Sequence, residues 1–448
     1  MGGYNYGDKL LITRGIVMMR RYANKYRLYV TLAVMLIAPL SLNDSTWSRG
    51  AVQDSSDILT AQAIQKKKDE IYNKYKDQRE KIVRSPQEMK EMLVGIQKQI
   101  KERNLHFVAE LNEMMKYKIS QITGARVPKN IEREAKVRSE AGNRLWEEFF
   151  KKYRERFRKK RAPDYEEQKK EDKKTESDKD TEEYGHREEE KQKDLEKREE
   201  KPDEIRTDIQ NPPSPDAAAF SWVSRNMVTG VKIQGVCGSC WAFVSVAVVE
   251  ANYLIRKKMS LDLSEQNILD CAEAQQPAYR GGRVVYMKSR AGSCQGGWYG
   301  PVFEYLRTHS AALESRIPYQ FMESTCKPAG ADQYRIMAWG YVKPDAGIPS
   351  IREMKEALCK YGPLAACVKV TPAFQAYRSG VYDECAAVSG ERDINHAITI
   401  VGWDDEKGAY LVKNSWGSEW GEEGYVWVKY GCNNIGYGAA WAVASGME

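Results

Sequence analysis

The stretch that most constrains this chain is residues 234–243, which read QGVCGSCWAF. It stands directly before an apolar run, residues 244–254, and that run ends in the basic residues 256–258. Because cations are favourable at the carboxyl end of a helix, the pattern predicts a loop that enters a buried helix with Cys240 at its amino terminus. The helix dipole and the unpaired backbone N–H groups at that end favour the thiolate form of a cysteine. Cys240 is therefore a candidate nucleophile.

The spacing of Cys237 and Cys240 also suits a thioredoxin-like redox pair or one half of a zinc site. A zinc site needs a second close pair of ligands, and none follows in the sequence. A redox pair of this kind lies in a βαβ pattern, which the flanking residues do not show. The nucleophile interpretation is preferred, and it requires a distant histidine and asparagine.

Two histidines follow Cys240 in the chain. His309 closes a segment typical of the end of an amphipathic helix, whereas His396 begins an apolar run that predicts a buried strand. A histidine held rigidly at the mouth of such a strand suits a general base. The next predicted strand leads into Asn414, whose side-chain oxygen is expected to accept the imidazole N–H of His396 while Trp416 covers that bond.

These segments resemble the papain family of cysteine peptidases, and the resemblance extends over residues 213–448. It implies an endopeptidase with Cys240 as nucleophile, His396 as base and acid, and Asn414 as the residue that orients His396. Gln234 and the backbone N–H of Cys240 are the implied oxyanion donors. We expect the Cys240 thiolate and the His396 imidazolium to form an ion pair. No metal or organic cofactor is implied.

The implied fold is α+β, a papain-like two-domain fold with a helical left domain and a β-barrel-like right domain, preceded by a helical prosegment. The sequence divides accordingly into a signal peptide or signal anchor, a helical propeptide, a charged flexible linker and the peptidase domain, at residues 1–45, 46–160, 161–212 and 213–448. The prolines at 212, 213 and 215, which follow Asn211, mark the last boundary, because three prolines in four residues cannot continue a helix.

The segment CQGG at residues 294–297 resembles the family's glycine-rich cleft strand. Glycine is expected at positions 296 and 297 because a substrate backbone must approach closely there, and a side chain would obstruct it. The resemblance also implies a specificity pocket with Ala440 at its base. Such an apolar pocket should prefer an apolar side chain at the second residue before the cut. The other expected substrate-binding residues are Trp298, Tyr299, Ile394, Ala397, Trp416 and Trp420.

The nine cysteines all lie at or after Cys237. Eight structural partners and one free catalytic thiol would account for the odd number, and such usage suits an oxidising compartment. Buried reduced cysteines are the alternative. The family resemblance pairs Cys237 with Cys294 and Cys271 with Cys326. The other four, Cys359, Cys367, Cys385 and Cys432, allow three connectivities, among which we favour Cys385 with Cys432.

The positive net charge belongs to the N-terminal part of the chain. Residues 1–212 hold 47 Lys and Arg against 39 Asp and Glu, whereas residues 213–448 hold 23 against 24. The near-neutral peptidase region therefore carries no nucleic-acid signature. Basic residues before the apolar run 28–42 predict a secretory signal, with an uncleaved membrane anchor as the alternative. A secreted or extracytoplasmic protein is expected.

Upstream of the peptidase region, apolar residues at helical spacing predict one amphipathic stripe, formed by Met89, Leu93, Ile96, Ile100, Phe107, Leu111 and Met114. Asn104, Val108 and Asn112 resemble half of a propeptide signature of the family, with valine in place of isoleucine. The region is therefore interpreted as a prosegment that inhibits its own peptidase. Residues 151–200 are nearly continuous charge and predict a solvated linker or a frayed helix.

The chain departs from the family between Cys271 and Cys294, where a longer segment carries Arg280, Arg283, Lys288 and Arg290. This segment either contributes substrate contacts or is a surface insertion. Two rival functions remain open: a peptide ligase or acyltransferase that uses the same site, and a non-catalytic coiled-coil scaffold. The intact set of Cys240, His396, Asn414 and Gln234 disfavours the scaffold.

Overall fold

The computed structural model describes part of the chain: Lys66, residues 84–175, Ile209, and residues 211–445 except 281, 282 and 332. These residues belong to one compact unit, Ser56–Glu448. The expected signal segment at residues 1–45 and residues 176–208 of the charged linker lie outside the described residues. Among the described helices, none combines the length and apolar character that a membrane span requires.

The first long helix, α1 (Pro86–Glu102), begins at a capping box formed by Ser85 and Glu88. Ser85 Oγ accepts the Glu88 N–H at 3.2 Å, and the Glu88 carboxylate accepts the Ser85 N–H at 2.6 Å. These bonds satisfy amide groups that a helix start leaves unpaired. One apolar face of α1 packs on the core, through Met89, Leu93, Ile96 and Ile100.

The helix does not continue beyond Glu102, so the prediction of a single stripe through Phe107, Leu111 and Met114 is wrong. Asn104 adopts the left-handed conformation, with φ of 51°, which ends the helical path. Phe107 then lies in strand β1 (Phe107–Ala109), Leu111 is exposed, and Met114 lies in a 3₁₀ turn at Glu113–Lys116. A short helix, α2 (Ile119–Ile122), follows.

The longest helix, α3 (Ile131–Thr175), runs past residue 160, although the sequence predicts that a flexible linker begins at residue 161. The correction has a physical reason. Lys, Arg and Glu are good helix formers, and opposite charges three or four residues apart stabilise a helix even where it buries little.

The helical part of the peptidase region consists of α4 (Cys240–Lys257), α5 (Glu265–Cys271) and α6 (Tyr299–Leu306). As predicted, α4 begins at Cys240, is almost wholly buried and ends in basic residues. The longer segment after Cys271 forms an antiparallel hairpin, β3 (Glu273–Arg280) with β4 (Arg283–Arg290). Two short strands, β5 (Gly292–Ser293) and β6 (Gly296–Gly297), lead into α6.

The second part is a sheet that contains eight strands along one path and a ninth at its side. Its strands are β2 (Ala219–Ser221), β7 (Ile336–Tyr341), β8 (Leu364–Val368), β9 (Tyr377–Tyr382), β10 (His396–Asp404), β11 (Ala409–Lys413), β12 (Tyr425–Lys429) and β13 (Tyr437–Ala444), joined by β1. The order is β1-β9-β12-β11-β10-β8-β13-β7, and β2 pairs with β10. Helices α7 (Ile351–Tyr361) and α8 (Pro372–Gln375) connect these strands.

Three disulfides join Cys237 to Cys294, Cys271 to Cys326 and Cys385 to Cys432. Cys240, Cys359 and Cys367 are free and buried. The expectation of eight paired cysteines and a single free thiol is therefore wrong. Cys359 on α7 and Cys367 on β8 are both fully buried in apolar clusters, where a reduced cysteine behaves as a small apolar side chain.

Candidate active site

Cys240 is the first residue of α4 and is fully buried. Its sulfur accepts the backbone N–H of Ala397 at 3.4 Å, which brings the start of α4 against the start of β10. The disulfide from Cys237 to Cys294 fixes the loop that precedes it. The thiol therefore lies where the helical part of the peptidase region meets the sheet.

His396 begins β10, and its Nε2 lies 2.8 Å from Asn414 Oδ1 at the end of β11. Its other ring nitrogen, Nδ1, is buried and has no hydrogen-bond partner within the described part of the chain. The Trp416 ring lies 5.0 Å from the imidazole ring, between centroids, and shields the bond to Asn414 from water. Asn414 therefore fixes the imidazole so that Nδ1 is available for a proton.

Gln234 is also fully buried, and four hydrogen bonds position it, one of which runs from the Tyr319 hydroxyl to the Gln234 carbonyl at 3.0 Å. Its Nε2 donates to the Cys237 carbonyl at 2.8 Å, its Oε1 accepts the Ser415 hydroxyl at 2.6 Å, and its backbone N–H donates to the Ser415 carbonyl at 2.9 Å. An amide nitrogen has two hydrogens, so one remains for a ligand. Sequence reasoning missed Ser415, and its position next to Asn414 is the signal that could have identified it.

A polypeptide segment of the chain itself crosses this site. The Gly297 N–H donates to the Gly124 carbonyl at 2.8 Å, the Arg126 N–H donates to the Gly297 carbonyl at 2.9 Å, and the Ala125 N–H donates to the Asn395 carbonyl at 2.9 Å. Ala125 pairs with Gly297 as a parallel bridge. The two bonds to Gly297 use the glycine strand that the sequence predicts as a substrate-binding edge.

Glycine is required where this segment passes Gly238. A Cβ on Gly124 would lie 2.0 Å from the Gly238 carbonyl oxygen, and a Cβ on Gly238 would lie 2.9 Å from the Thr123 carbonyl oxygen. Trp416 Nε1 donates to the Ile122 carbonyl at 3.0 Å. Sequence reasoning missed residues 122–126, although the small residues Gly124 and Ala125 within a long charged region were a signal.

The residues predicted for the specificity pocket share one apolar cluster. Trp298, Tyr299, Ala397 and Ala440 are buried there, and Ile394 packs against it. Ala440 pairs with Ala365 and Tyr341 across the sheet. Trp420 lies behind Trp416, at 5.1 Å between ring centroids, and donates to the Gln375 carbonyl. The structure therefore brings the pocket residues together and places Trp420 outside them.

The charge state of the site differs from the expectation of an ion pair. Burial raises the pKa of the Cys240 thiol to about 12, although N–H groups of Ala397 and Gly124 act in the opposite direction. Burial also lowers the pKa of the His396 imidazole to about 4, although the bond to Asn414 raises it. With residues 122–126 in place and water excluded, the thiol and imidazole are both neutral, because burial disfavours either charged form.

We predict that Cys240 in the intact chain reacts slowly with iodoacetamide. Only the thiolate reacts, and a thiol with a pKa near 12 is ionised to about one part in 10⁵ at pH 7, roughly a thousandfold less than free cysteine. The rate should rise about tenfold per pH unit between pH 7 and pH 10. Mass spectrometry of labelled peptides measures it, with Cys240→Ala as control. A pH-independent rate from pH 5 to pH 8 would show that the ion pair is already formed.

A family model described as papain family cysteine protease matches residues 216–444. The chain is 35% identical over 214 residues to gamete and mating-type specific protein A of Dictyostelium discoideum, across 46% of this chain and 42% of that protein. It is 33% identical over 225 residues to digestive cysteine proteinase 1 of Homarus americanus, across 49% of this chain and 64% of that protein. The chain thus spans less than two thirds of the length of these relatives.

Among solved structures, digestive procathepsin L 3 of the Tenebrio molitor larval midgut superposes with a TM-score of 0.51 at 20% identity. The superposition covers 85% of this chain and 99% of that chain. At this identity the likeness concerns the fold alone, and it confirms the predicted α+β, papain-like fold.

A thiol at a helix amino terminus, opposite a histidine that an asparagine orients, is an arrangement typical of the class of cysteine proteases. The family model covers half of the chain, including all of these residues. The chain belongs to the papain family of cysteine proteases, which confirms the resemblance drawn from the sequence.

Proposed function

We propose that the protein is a cysteine endopeptidase, made as an exported zymogen, which hydrolyses peptide bonds through a thioester on Cys240. One observation carries the proposal. The neighbourhood of Cys240, the His396–Asn414 pair and Gln234 already holds an extended polypeptide segment, residues 122–126, on the backbone of Gly297. A site that accepts one polypeptide backbone is suited to accept another as substrate.

In the proposed reaction the proton of the Cys240 thiol passes to His396 Nδ1. The thiolate attacks the carbonyl carbon of the substrate, and the oxyanion accepts hydrogen bonds from Gln234 Nε2 and the Cys240 N–H. His396 then protonates the leaving amine as the C–N bond breaks, which leaves an acyl thioester. Water, deprotonated by His396, attacks the thioester and releases the acid and the thiol.

The N-terminal region acts in this proposal as an intramolecular inhibitor. Residues 122–126 cover Cys240, and β1 adds to the sheet by pairing with β9. Beside β1, His106 Nδ1 lies 2.7 Å from the Asp383 carboxylate, and the backbone N–H of His106 donates to the same carboxylate at 2.9 Å. Removal or displacement of the segment admits water and substrate together, which permits the thiol and imidazole to ionise.

Cleft residues support a preference for an apolar side chain at the second residue before the cut. Apolar side chains form the cluster of Trp298, Ile394, Ala397 and Ala440, and Val127 of the prosegment packs against the same cluster. The three disulfides support maturation in an oxidising compartment, hence export. If the signal is not cleaved, residues 28–42 anchor the protein to the membrane. Membrane fractionation of the expressed protein tests this alternative.

We predict that Gln234→Ala lowers kcat by about 10²–10³-fold, since one donor of an oxyanion hole contributes on that scale. The thermal unfolding midpoint should fall only modestly, because the disulfide from Cys237 to Cys294 still fixes the loop. Steady-state kinetics on the activated protein measure the effect, and Gln295→Ala, an exposed glutamine in the glycine segment 294–297, serves as control. An unchanged kcat would reject the proposed role of Gln234.

Hydrolysis of a fluorogenic dipeptide amide with an apolar penultimate residue tests the function itself. The full chain and a chain cut between Ala125 and Ile131 are compared under reducing conditions. Activity that appears only after the cut supports both the peptidase and the zymogen. Product analysis in the presence of an added amine distinguishes hydrolysis from acyl transfer. The proposal would be overturned if neither the full chain nor the cut chain hydrolysed any peptide of a broad library.

A further inference from the structure

The first part of helix α3 packs closely against the peptidase region, with Ser139 and Trp146 buried there. We propose that α3 remains bound to the peptidase as a non-covalent subunit after the prosegment is cut, with the β7 edge and the Tyr361 surface as its binding site. The proposal rests on the proposed function only in assuming that the chain is processed. The contacts along α3 are its support.

The first contact closes an open sheet edge. Strand β7 is the last strand of the sheet, so its outer backbone groups have no neighbouring strand. Ser139 of α3 bonds these groups in place of a neighbouring strand. Its hydroxyl accepts the Tyr341 N–H at 3.2 Å and donates to the Tyr341 carbonyl at 3.3 Å. Without α3 these buried groups of β7 would become a free edge, which is a site of aggregation.

Small residues bring the backbones of α3 and β7 into direct contact. A Cβ on Gly142 would lie 1.9 Å from the Trp339 carbonyl oxygen. On the strand, a Cβ on Gly340 would lie 3.3 Å from the Ser139 Cα. Such an approach is possible for few residue pairs, so the two surfaces are closely complementary.

Trp146, in the first half of α3, packs against the peptidase region. It is fully buried, its ring lies 5.5 Å from that of Tyr361, and Tyr361 stacks on Trp441 at 4.0 Å, all between centroids. The cations of Arg256 and Lys360 lie 5.7 Å and 5.8 Å from the Trp146 ring. A buried tryptophan among aromatic rings and cations is typical of the residues that dominate interface affinity.

Charged contacts fix the position of the helix along this surface. Arg138 pairs with Glu304 at 3.1 Å and also donates to the Gln275 carbonyl at 3.0 Å. The Arg138 and Glu304 side chains are mostly buried, and the Trp339 indole donates to the same Glu304 carboxylate at 3.1 Å. At the start of α3, Glu132 pairs with Arg392 at 2.7 Å.

The position of α3 in the chain makes retention possible. The cleft-crossing segment ends at Arg126, and α3 begins at Ile131, so the short connection at residues 127–130 separates the cover of Cys240 from the helix. A cut there separates the cleft-crossing segment from α3 and removes none of the contacts that α3 makes with the peptidase region. A second cut within residues 176–208 would turn the helix into a separate chain that only its packing holds.

The test uses the full chain with Cys240→Ala, so that its outcome is independent of activity. Recognition sites for a site-specific protease are placed at residues 128–130 and within residues 176–208, and both are cut. Native mass spectrometry and gel filtration then follow the three fragments. We expect the fragment that contains α3 to remain with the peptidase fragment after the cleft segment is released by dilution or mild acid.

Matched variants test the proposed contacts. Trp146→Ala should weaken retention of the α3 fragment by at least about thirtyfold in Kd, and Gly142→Leu should release it, whereas Glu140→Ala on the exposed side should leave it bound. If either variant fails to fold, Ser139→Ala supplies a milder change with the same direction. Separation of the unmodified α3 fragment from a folded, monomeric peptidase fragment would overturn the proposal. Retention together with an inactive parent enzyme would refute the proposed function alone.

Discussion

Replacing Cys240 with alanine lowers kcat/KM for peptide hydrolysis by at least about 10⁴-fold, because the change removes the nucleophile and the thioester route with it. The fold should persist. Cys240 is at the first position of α4, where alanine is a favourable helix residue, and its sulfur accepts the Ala397 N–H at a long 3.4 Å. Kinetics with a fluorogenic dipeptide amide on the proteolytically activated variant measure the loss.

Cys359→Ala is the matched control, since Cys359 is a second free and fully buried thiol but lies on α7. This variant should retain kcat while losing some stability, because the replacement leaves a small cavity. Equal loss of activity in both variants, or residual turnover within tenfold of the parent in Cys240→Ala, would contradict the assignment of the nucleophile.

Replacing His396 with alanine is expected to lower kcat by about 10⁴-fold, the scale on which loss of a base within a nucleophile–base pair acts. Asn414, the hydrogen-bond partner of His396 in the described part of the chain, does not titrate and so cannot take the thiol proton in its place. The rate that remains should rise with pH as the unassisted thiol ionises. A pH profile of kcat/KM for the variant measures this change.

His309→Ala is the control for that prediction. His309 stacks on Tyr305 at 4.3 Å between ring centroids and is the other histidine that follows Cys240 in the chain. Its replacement should leave kcat within about twofold, as for a surface substitution. A large loss at His309 with little loss at His396 would reassign the base.

The sequence located the candidate site well because its chemistry lies in short segments with distinct local patterns. The start of α4 followed from an apolar run after QGVCGSC, and the strand of His396 followed from the seven apolar or small residues after that histidine. Asn414 could be placed because strands β10 and β11 are neighbours along the chain and pair antiparallel. The roles of these side chains stay predictions until the variants are measured.

The parts that the sequence did not predict depend on contacts between distant residues. The end of α1 is fixed by Asn104 and by the pairing of β1 with β9, which is far away in the chain. The packing of α3 depends on Ser139, Gly142 and Trp146, which are spread along a highly charged helix. No local pattern distinguishes these three from surface residues, because their neighbours on the peptidase region are not visible in sequence.

The charge state of the site shows the same limit. A cysteine at a helix amino terminus beside a histidine predicts an ion pair, and this holds for a hydrated cleft. In the structure, residues 122–126 cover the site, and burial outweighs both the N–H groups that favour the thiolate and the Asn414 bond that favours the imidazolium. The effect arises from a segment more than a hundred residues upstream, so residues 234–243 could not reveal it.

The most direct test of the central claim is the mass of the activated protein during turnover of a slowly deacylating ester substrate, quenched with acid. A thioester on Cys240 predicts one acyl group per chain, located by peptide mapping to residues 240–256 and absent from Cys240→Ala. Turnover without any adduct, or an adduct on another residue, would contradict the account.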